Sequence, residues 1–116
     1  MFNLSNITAL LYTKPVDMRK QIDGLVMLVA QVLQEDPQSE KLFVFRNKQS
    51  DKLKLLYWEK DGFWLLYRRL EKGRFCIPKL LSEKCNLSLT QMRWLLEGLD
   101  ISKLTEKKSI KHRYFY

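Results

Sequence analysis

The stretch KLKLLYWEKDGFWLLYRRLEKGRF, from Lys52 to Phe75, decides the fold of this chain. It contains two runs of aliphatic and aromatic residues, Leu53–Glu59 and Phe63–Leu70, on either side of the dipeptide Asp61-Gly62. Asp-Gly between two such runs strongly indicates a tight turn that joins antiparallel strands. The stretch therefore predicts a β-hairpin.

A third strand precedes this hairpin. The run Leu42–Arg46 (LFVFR) is followed by the polar loop NKQSDK, residues 47–52, so the sequence predicts an antiparallel meander of three strands. In this meander we expect Phe45 to face Lys54. The short apolar run Ile7–Tyr12 (ITALLY) is a candidate for a fourth strand.

The pairing across the hairpin bears on function. With Asp61-Gly62 at the turn, we expect Lys54 to face Arg69. Like charges directly opposite each other destabilise a sheet. A bound anion such as phosphate would relieve that repulsion.

Side chains alternate between the two faces of a strand, which divides the predicted sheet into an aliphatic face and an aromatic face. The aliphatic face carries Leu42, Val44, Arg46, Leu53, Leu55, Tyr57, Trp64, Leu66, Arg68 and Leu70. The aromatic face carries Phe43, Phe45, Lys54, Leu56, Trp58, Leu65, Tyr67 and Arg69. We expect the first helix to cover the aliphatic face. The aromatic face is either covered by the second helix or a partner subunit, with its cations extending to solvent, or open to stack on nucleic-acid bases.

Two helices are predicted from apolar residues at helical spacing. The first runs from Met18 to about Gln34, with Asp17 as its N-cap and Pro37 beyond its end. The second opens at SLTQ, where Ser88 and Gln91 have the spacing of a capping box, and ends near Gly98. The predicted fold class is α+β, with a small antiparallel sheet of three to four strands, an N-terminal helix and a second helix near the C-terminus.

Length and hydropathy limit the organisation of the chain. Its 116 residues predict one α+β domain, residues 1–102, and a basic, flexible C-terminal tail, residues 103–116. No apolar run approaches the roughly 18 residues that span a bilayer, and the N-terminus does not have the pattern of a signal peptide. We therefore expect a cytoplasmic protein with no membrane partner.

Positive charge is concentrated in the same part of the chain as the aromatic residues. The formal net charge is +8, and residues 41–79 contain eleven basic and four acidic side chains. Such asymmetry indicates a polyanionic partner, with nucleic acid or an acidic protein as the main alternatives to a merely solvated surface. The candidate nucleic-acid-binding residues are Arg19, Lys20, Arg46, Lys48, Lys52, Lys54, Arg68, Arg69, Lys72 and Arg74.

The segment DMRK, residues 17–20, has two interpretations. If Asp17 caps the helix, Arg19 and Lys20 lie in the first turn, where free backbone N–H groups attract phosphate. Alternatively, Arg19 pairs with Asp23 one turn later on the helix.

The sequence does not favour catalysis, a cofactor or a metal site. Its acidic residues are scattered, and its four glycines are too isolated to form a phosphate-binding loop. Cys76 and Cys85, with the single His112, do not have the spacing of a zinc site, and neither cysteine has a base near it in sequence. We expect a protein that is not an enzyme, with both cysteines reduced.

Four segments resemble a known family. They are LYTKPVDMRKQIDGL (11–25), LFVFRN (42–47), KLLYWEKDGFWLLYRRLEKGRF (54–75) and QMRWLLEGLDI (91–101). In this order they are similar to the TnpB-type accessory protein encoded by the second open reading frame of IS66-family insertion sequences. This family is distinct from the RNA-guided nuclease that shares the name TnpB.

The resemblance implies a small accessory protein that acts in transposition, with the chemistry carried by the separate large transposase. Two functions follow as hypotheses: binding of the DNA backbone through the cations of the hairpin, or recruitment of the transposase as a protein–protein adaptor. RNA binding or control of expression from the element is a third. The implied partners are DNA and the transposase of the same element.

Overall fold

The structure is a computed structural model that describes residues 7–79 and 82–98. It confirms the α+β fold class. The elements in chain order are β1 (Thr8–Pro15), α1 (Ile22–Gln31), β2 (Lys41–Arg46), β3 (Lys52–Glu59), β4 (Gly62–Arg69), β5 (Lys84–Leu87) and α2 (Leu89–Leu96). The predicted tail, residues 103–116, lies outside the described residues.

The five strands form one sheet in the order β4-β3-β2-β1-β5. The predicted meander is confirmed, because β2, β3 and β4 pair antiparallel in succession. The fourth strand is also confirmed, and it extends beyond Tyr12 to Pro15. It pairs parallel with β2, since α1 connects the two strands as a crossover. β5 was not predicted, because its four residues (KCNL) show neither alternation nor β-branched side chains.

The hairpin register differs from the prediction by two residues. Glu59 pairs with Gly62, and Lys60 adopts a left-handed φ of 53°, so Lys60-Asp61 occupies the turn. Lys54 consequently faces Tyr67, and the predicted pairing of Lys54 with Arg69 is wrong. A shift of two residues keeps every side chain on its expected face. The other predicted pair, Phe45 with Lys54, is confirmed.

The helices cover the two faces in the opposite way to the prediction. Leu25 and Val29 of α1 form one core with Phe43, Phe45 and Leu56 of the aromatic face. The expectation that α1 covers the aliphatic face is therefore wrong. The residues of α2 lie in the other core with the aliphatic face. Both faces of the sheet are therefore mainly structural.

The first helix begins later than predicted. Its N-cap is Gln21, which makes no capping hydrogen bond through its side chain. The chain remains extended through Pro15, and the N–H of Val16 still donates to the carbonyl of Arg46 at 2.8 Å. Asp17 therefore caps a turn that precedes the helix: its carboxylate accepts the N–H of Arg19 at 2.9 Å. The prediction of Asp17 as the helix N-cap is wrong.

The second helix begins as predicted. The Ser88 hydroxyl accepts the N–H of Gln91 at 3.1 Å, and the Gln91 side chain accepts the N–H of Ser88 at 3.0 Å. The chain leaves the helix with Gly98 at φ 81°. Trp94 is the largest fully buried side chain among the described residues and anchors α2 in the core.

One carboxylate joins three elements away from the hairpin. Glu35, just after α1, accepts Lys41 of β2 at 2.7 Å and Lys84 of β5 at 2.6 Å. These hydrogen bonds lower the pKa of Glu35, and the bond with Lys41 has the largest effect. No helix within residues 7–79 and 82–98 is long and apolar enough to cross a membrane.

Candidate nucleic-acid interface

The strand register brings most of the predicted cations to one end of the sheet. Arg46 pairs with Pro15 of β1 and with Leu53 of β3, and Leu53 pairs with Arg68 of β4. The carboxyl ends of β1, β2 and β4 therefore meet where β3 begins. We call this end, with its adjoining connections, the basic end. Its cations near the surface are Lys14, Arg19, Lys20, Arg46, Lys48, Lys52, Arg68, Arg69, Lys72, Arg74 and Lys79.

Backbone hydrogen bonds hold the segment after β4 against the basic end. The N–H of Leu70 donates to the carbonyl of Asp51 at 2.8 Å, and the N–H of Phe75 donates to the carbonyl of Ser50 at 2.7 Å. Between these contacts Gly73 has a φ of 82°, a conformation that glycine adopts without strain. This turn brings Lys72 and Arg74 next to the connection between β2 and β3.

The opposite end of the sheet has a different charge balance. There the β3–β4 turn and the start of β2 carry the carboxylates of Glu40, Glu59 and Asp61 beside Lys41 and Lys60. The two ends therefore differ in the sign of their excess charge. Of the two ends, as the described residues form them, the basic end therefore has the stronger attraction for an anion.

Lys54 is a predicted nucleic-acid contact that the structure places in the interior. Its side chain lies under the β1–α1 connection, and the residue is only 5% exposed. The ammonium donates to the carbonyls of Met18 at 2.8 Å and Lys20 at 2.7 Å, and lies 5.8 Å from the centre of the Tyr67 ring. Its donors hold the connection in place, so we exclude Lys54 from the interface.

Arg46 is partly engaged by the protein itself. Its guanidinium donates twice to the carbonyl of Thr13, from Nε at 3.1 Å and from an Nη at 2.6 Å. Partial burial lowers the pKa of Arg46. These bonds fix the orientation of the guanidinium and leave its other N–H groups for a ligand.

Three predicted cations form ion pairs with carboxylates one or two residues away. Arg19 pairs with Asp17 at 2.7 Å, Lys52 with Asp51 at 3.5 Å, and Arg69 with Glu71 at 2.8 Å. The Arg19 side-chain hydrogen bonds lower the pKa of Asp17 to about 2. Because Arg19 pairs with Asp17, the predicted alternative of an Arg19–Asp23 pair is wrong. Such solvent-accessible pairs are weak and can exchange their carboxylate for another anion.

The remaining predicted cations have no such partner. Within the described part of the chain, no hydrogen bond or ion pair engages the charged groups of the exposed residues Lys20, Lys48, Arg68, Lys72 and Arg74. We call these five residues the open cations. Because no described residue neutralises these cations, each is available to contact a phosphate.

Asn47 orders the loop that presents Lys48. This buried side chain accepts the N–H groups of Asp51 at 3.1 Å and Lys52 at 3.0 Å, and donates to the Asp51 carboxylate at 2.6 Å. The hydrogen bond from the Asn47 side chain to the Asp51 carboxylate is the main cause of the lowered pKa of Asp51. The structural role of Asn47 was not predicted, although asparagine is a common loop-ordering residue.

A cleft of about 610 Å³ opens at the basic end, between the end of β1, the β2–β3 loop and residues 74–79. Among the described residues, its lining contains no carboxylate and five cations, which are Lys14, Arg46, Lys48, Arg74 and Lys79. Sequence reasoning missed Lys14 and Lys79, because they lie far apart in the chain. Lys14 pairs at the surface with Glu83 at 2.8 Å, which raises the pKa of Lys14.

Comparison with known proteins now identifies the family. The model of the family described as IS66 Orf2-like proteins matches residues 7–106. The chain belongs to this family. It is an accessory protein of an insertion sequence, as the resemblance implied.

Two similar proteins come from Sinorhizobium fredii (strain NBRC 101917 / NGR234). One, named uncharacterized protein y4jC, is 37% identical over 82% of this chain and 81% of its own length. The other, uncharacterized protein y4hO, is 33% identical over 82% of this chain and 83% of its own length. No solved structure matches the chain.

Proposed function

We propose that this IS66 accessory protein binds the DNA backbone through its basic end and supplies no chemistry of its own to transposition. The observation that carries the proposal is the group of open cations, which lie at one end of the sheet and have no carboxylate partner within residues 7–79 and 82–98. Phosphate contacts of this kind supply affinity without specifying sequence.

The aromatic residues make a smaller contribution in this proposal. Phe43 and Phe45 are fully buried under α1, so they are not a platform for bases. Tyr67 is exposed at the β4 edge, next to Arg68 and Arg69. DNA binding therefore depends chiefly on charge, with Tyr67 as the aromatic side chain best placed to join it.

The test compares two variants that each remove two positive charges. Arg68→Gln/Lys72→Gln acts at the basic end, whereas Lys60→Gln/Arg93→Gln acts on exposed cations elsewhere. Affinity for the terminal repeats of the element and for random duplex DNA is measured across a salt series. We expect the first variant to weaken binding to both DNAs and to lower the slope of log K against log salt by about 0.9 per lost contact.

The matched variant separates local contacts from net charge. If Lys60→Gln/Arg93→Gln lowers affinity and slope as much as the basic-end variant, binding is a consequence of total charge and the proposed interface is wrong. Absence of DNA binding by the unaltered protein at low salt would reject the function itself.

A second function, recruitment of the transposase, is favoured by an apolar groove on the other side of the molecule. This groove of about 390 Å³ lies between α2 and the sheet, and its lining includes Ile7, Leu42, Leu66 and Leu96. Exposed apolar grooves commonly bind protein partners. A pull-down of the transposase that survives nuclease and is lost in Leu66→Gln supports recruitment, whereas a nuclease-sensitive pull-down supports DNA binding alone.

A further inference from the structure

We infer that the cleft at the basic end is a binding site for one phosphate group of a DNA strand, and that Lys14 and Lys79 contact this phosphate. The inference rests on the proposed function and adds a specific location to it. It assigns two residues outside the predicted interface.

The cleft brings together cations that are distant in sequence. The five cations of the cleft come from separate parts of the chain: the end of β1, the end of β2, the following loop, and residues 74–79. On an open surface, cations contact successive phosphates one by one. In a cleft, cations from different sides can contact the same anion, and no carboxylate lies in the lining that the described residues form. The one nearby competitor that these residues show is Glu83, which pairs with Lys14.

Hydrogen bonds within the protein order part of the cleft before a ligand binds. Arg46 is held in one orientation by two hydrogen bonds to the Thr13 carbonyl, which reduces the conformational entropy that a bound anion would have to remove. Asn47 orders the adjoining loop that carries Lys48. The site therefore has a fixed guanidinium and an ordered loop backbone at Lys48 before a ligand arrives.

Lys14 can contact a ligand in the cleft although it forms an ion pair. Its pair with Glu83 lies at the surface, with the two side chains 61% and 44% exposed. A pair so accessible to water is weak. A phosphate in the cleft can take the place of the Glu83 carboxylate, and Lys14 then contributes to binding.

The cleft also has an apolar side. Pro15, Phe75, Ile77 and Pro78 form part of its lining. Apolar walls reduce the access of water to an anion and strengthen its attraction to nearby cations. They also match the apolar surface of the sugar next to a backbone phosphate.

The test uses Lys14→Gln/Lys79→Gln, with Arg68→Gln/Lys72→Gln as the variant of equal charge outside the cleft. Amide NMR spectra of the full chain are recorded during titration with pyrophosphate and, separately, with a 5′-phosphorylated tetranucleotide. We expect saturable shifts centred on the amides of Lys48, Gln49, Ser50 and Lys79. The cleft variant should weaken binding of both ligands on the order of tenfold, whereas Lys60→Gln/Arg93→Gln, which removes two charges away from the basic end, should change it little.

Duplex binding is then measured in a salt series. In Lys14→Gln/Lys79→Gln, the slope of log K against log salt should fall by about 0.9 for each of the two lysines. If Arg68→Gln/Lys72→Gln weakens duplex binding and the cleft variant does not, this inference fails while the proposed function stands. If neither variant changes duplex binding, the proposed function fails with it. Pyrophosphate binding in the cleft without tetranucleotide binding would assign the site to a free phosphate ligand and overturn its assignment to DNA. An amide spectrum of the cleft variant that matches the unaltered fold shows that a loss of binding is not unfolding.

Discussion

Lys54 and Arg74 are cations of the same short stretch of sequence, but the structure places them in opposite environments. Lys54 is buried, and its ammonium donates to two backbone carbonyls. Arg74 is exposed and has no partner in the described part of the chain. A count of charges alone therefore does not define an interface. Binding capacity depends on which cations the protein leaves without partners of its own.

The largest expected effect concerns Lys54, the buried cation of this pair. Lys54→Met removes the donor of the Met18 and Lys20 carbonyls, so we expect the free energy of unfolding to fall by about 2–4 kcal/mol. Urea denaturation measures the change. The matched variant Lys52→Met, which removes a half-exposed lysine from the same strand, should cost less than about 1 kcal/mol. Equal losses in the two variants would show that the inward orientation of Lys54 is unimportant.

The next effect concerns Glu35, which neutralises two cations internally. Glu35→Gln should lower the free energy of unfolding by about 1–3 kcal/mol, because charged hydrogen bonds to Lys41 and Lys84 become neutral ones. Since the native pKa of Glu35 is lowered, its contribution is complete above the ordinary carboxyl pKa of about 4.3 and is lost as pH falls through the native pKa.

Denaturation of both proteins between neutral and acidic pH provides the measurement for Glu35. The difference in unfolding free energy between wild type and Glu35→Gln should shrink as the pH falls below about 4. A difference that stays constant with pH would mean that the carboxylate charge is not the source of the stabilisation.

The smallest expected effect comes from releasing Arg19 from its ion pair with Asp17. Asp17→Asn retains an oxygen to accept the N–H of Arg19 but removes the charge that pairs with its guanidinium. We expect a modest gain in DNA affinity and a salt slope steeper by up to about 0.9, measured at neutral pH, where Asp17 with a pKa of about 2 is ionised in the native protein. Unchanged DNA binding would show that Arg19 faces away from the DNA.

The features predicted correctly from sequence are those set by neighbouring residues. The Asp61-Gly62 region specified a hairpin, and Ser88 with Gln91 specified the start of α2. The face on which each hairpin side chain lies was also predicted correctly, because the predicted register was wrong by an even number of residues. Local chemistry was sufficient for these elements.

The errors concern arrangements that depend on distant parts of the chain. Which helix covers which face follows from the path of the crossover between β1 and β2, and that path is not encoded in any single segment. The inward orientation of Lys54 required the carbonyls of Met18 and Lys20, more than thirty residues earlier. The cleft likewise unites Lys14 and Lys79, which sequence proximity alone does not connect.

The most direct test of the central claim is the salt dependence of DNA binding when four of the open cations are removed together. In the variant Lys48→Gln/Arg68→Gln/Lys72→Gln/Arg74→Gln, we predict a slope of log K against log salt that is shallower by about 3–4, with a urea midpoint close to that of wild type. A variant that folds as stably as wild type and retains the wild-type slope would contradict the claim that these cations bind DNA.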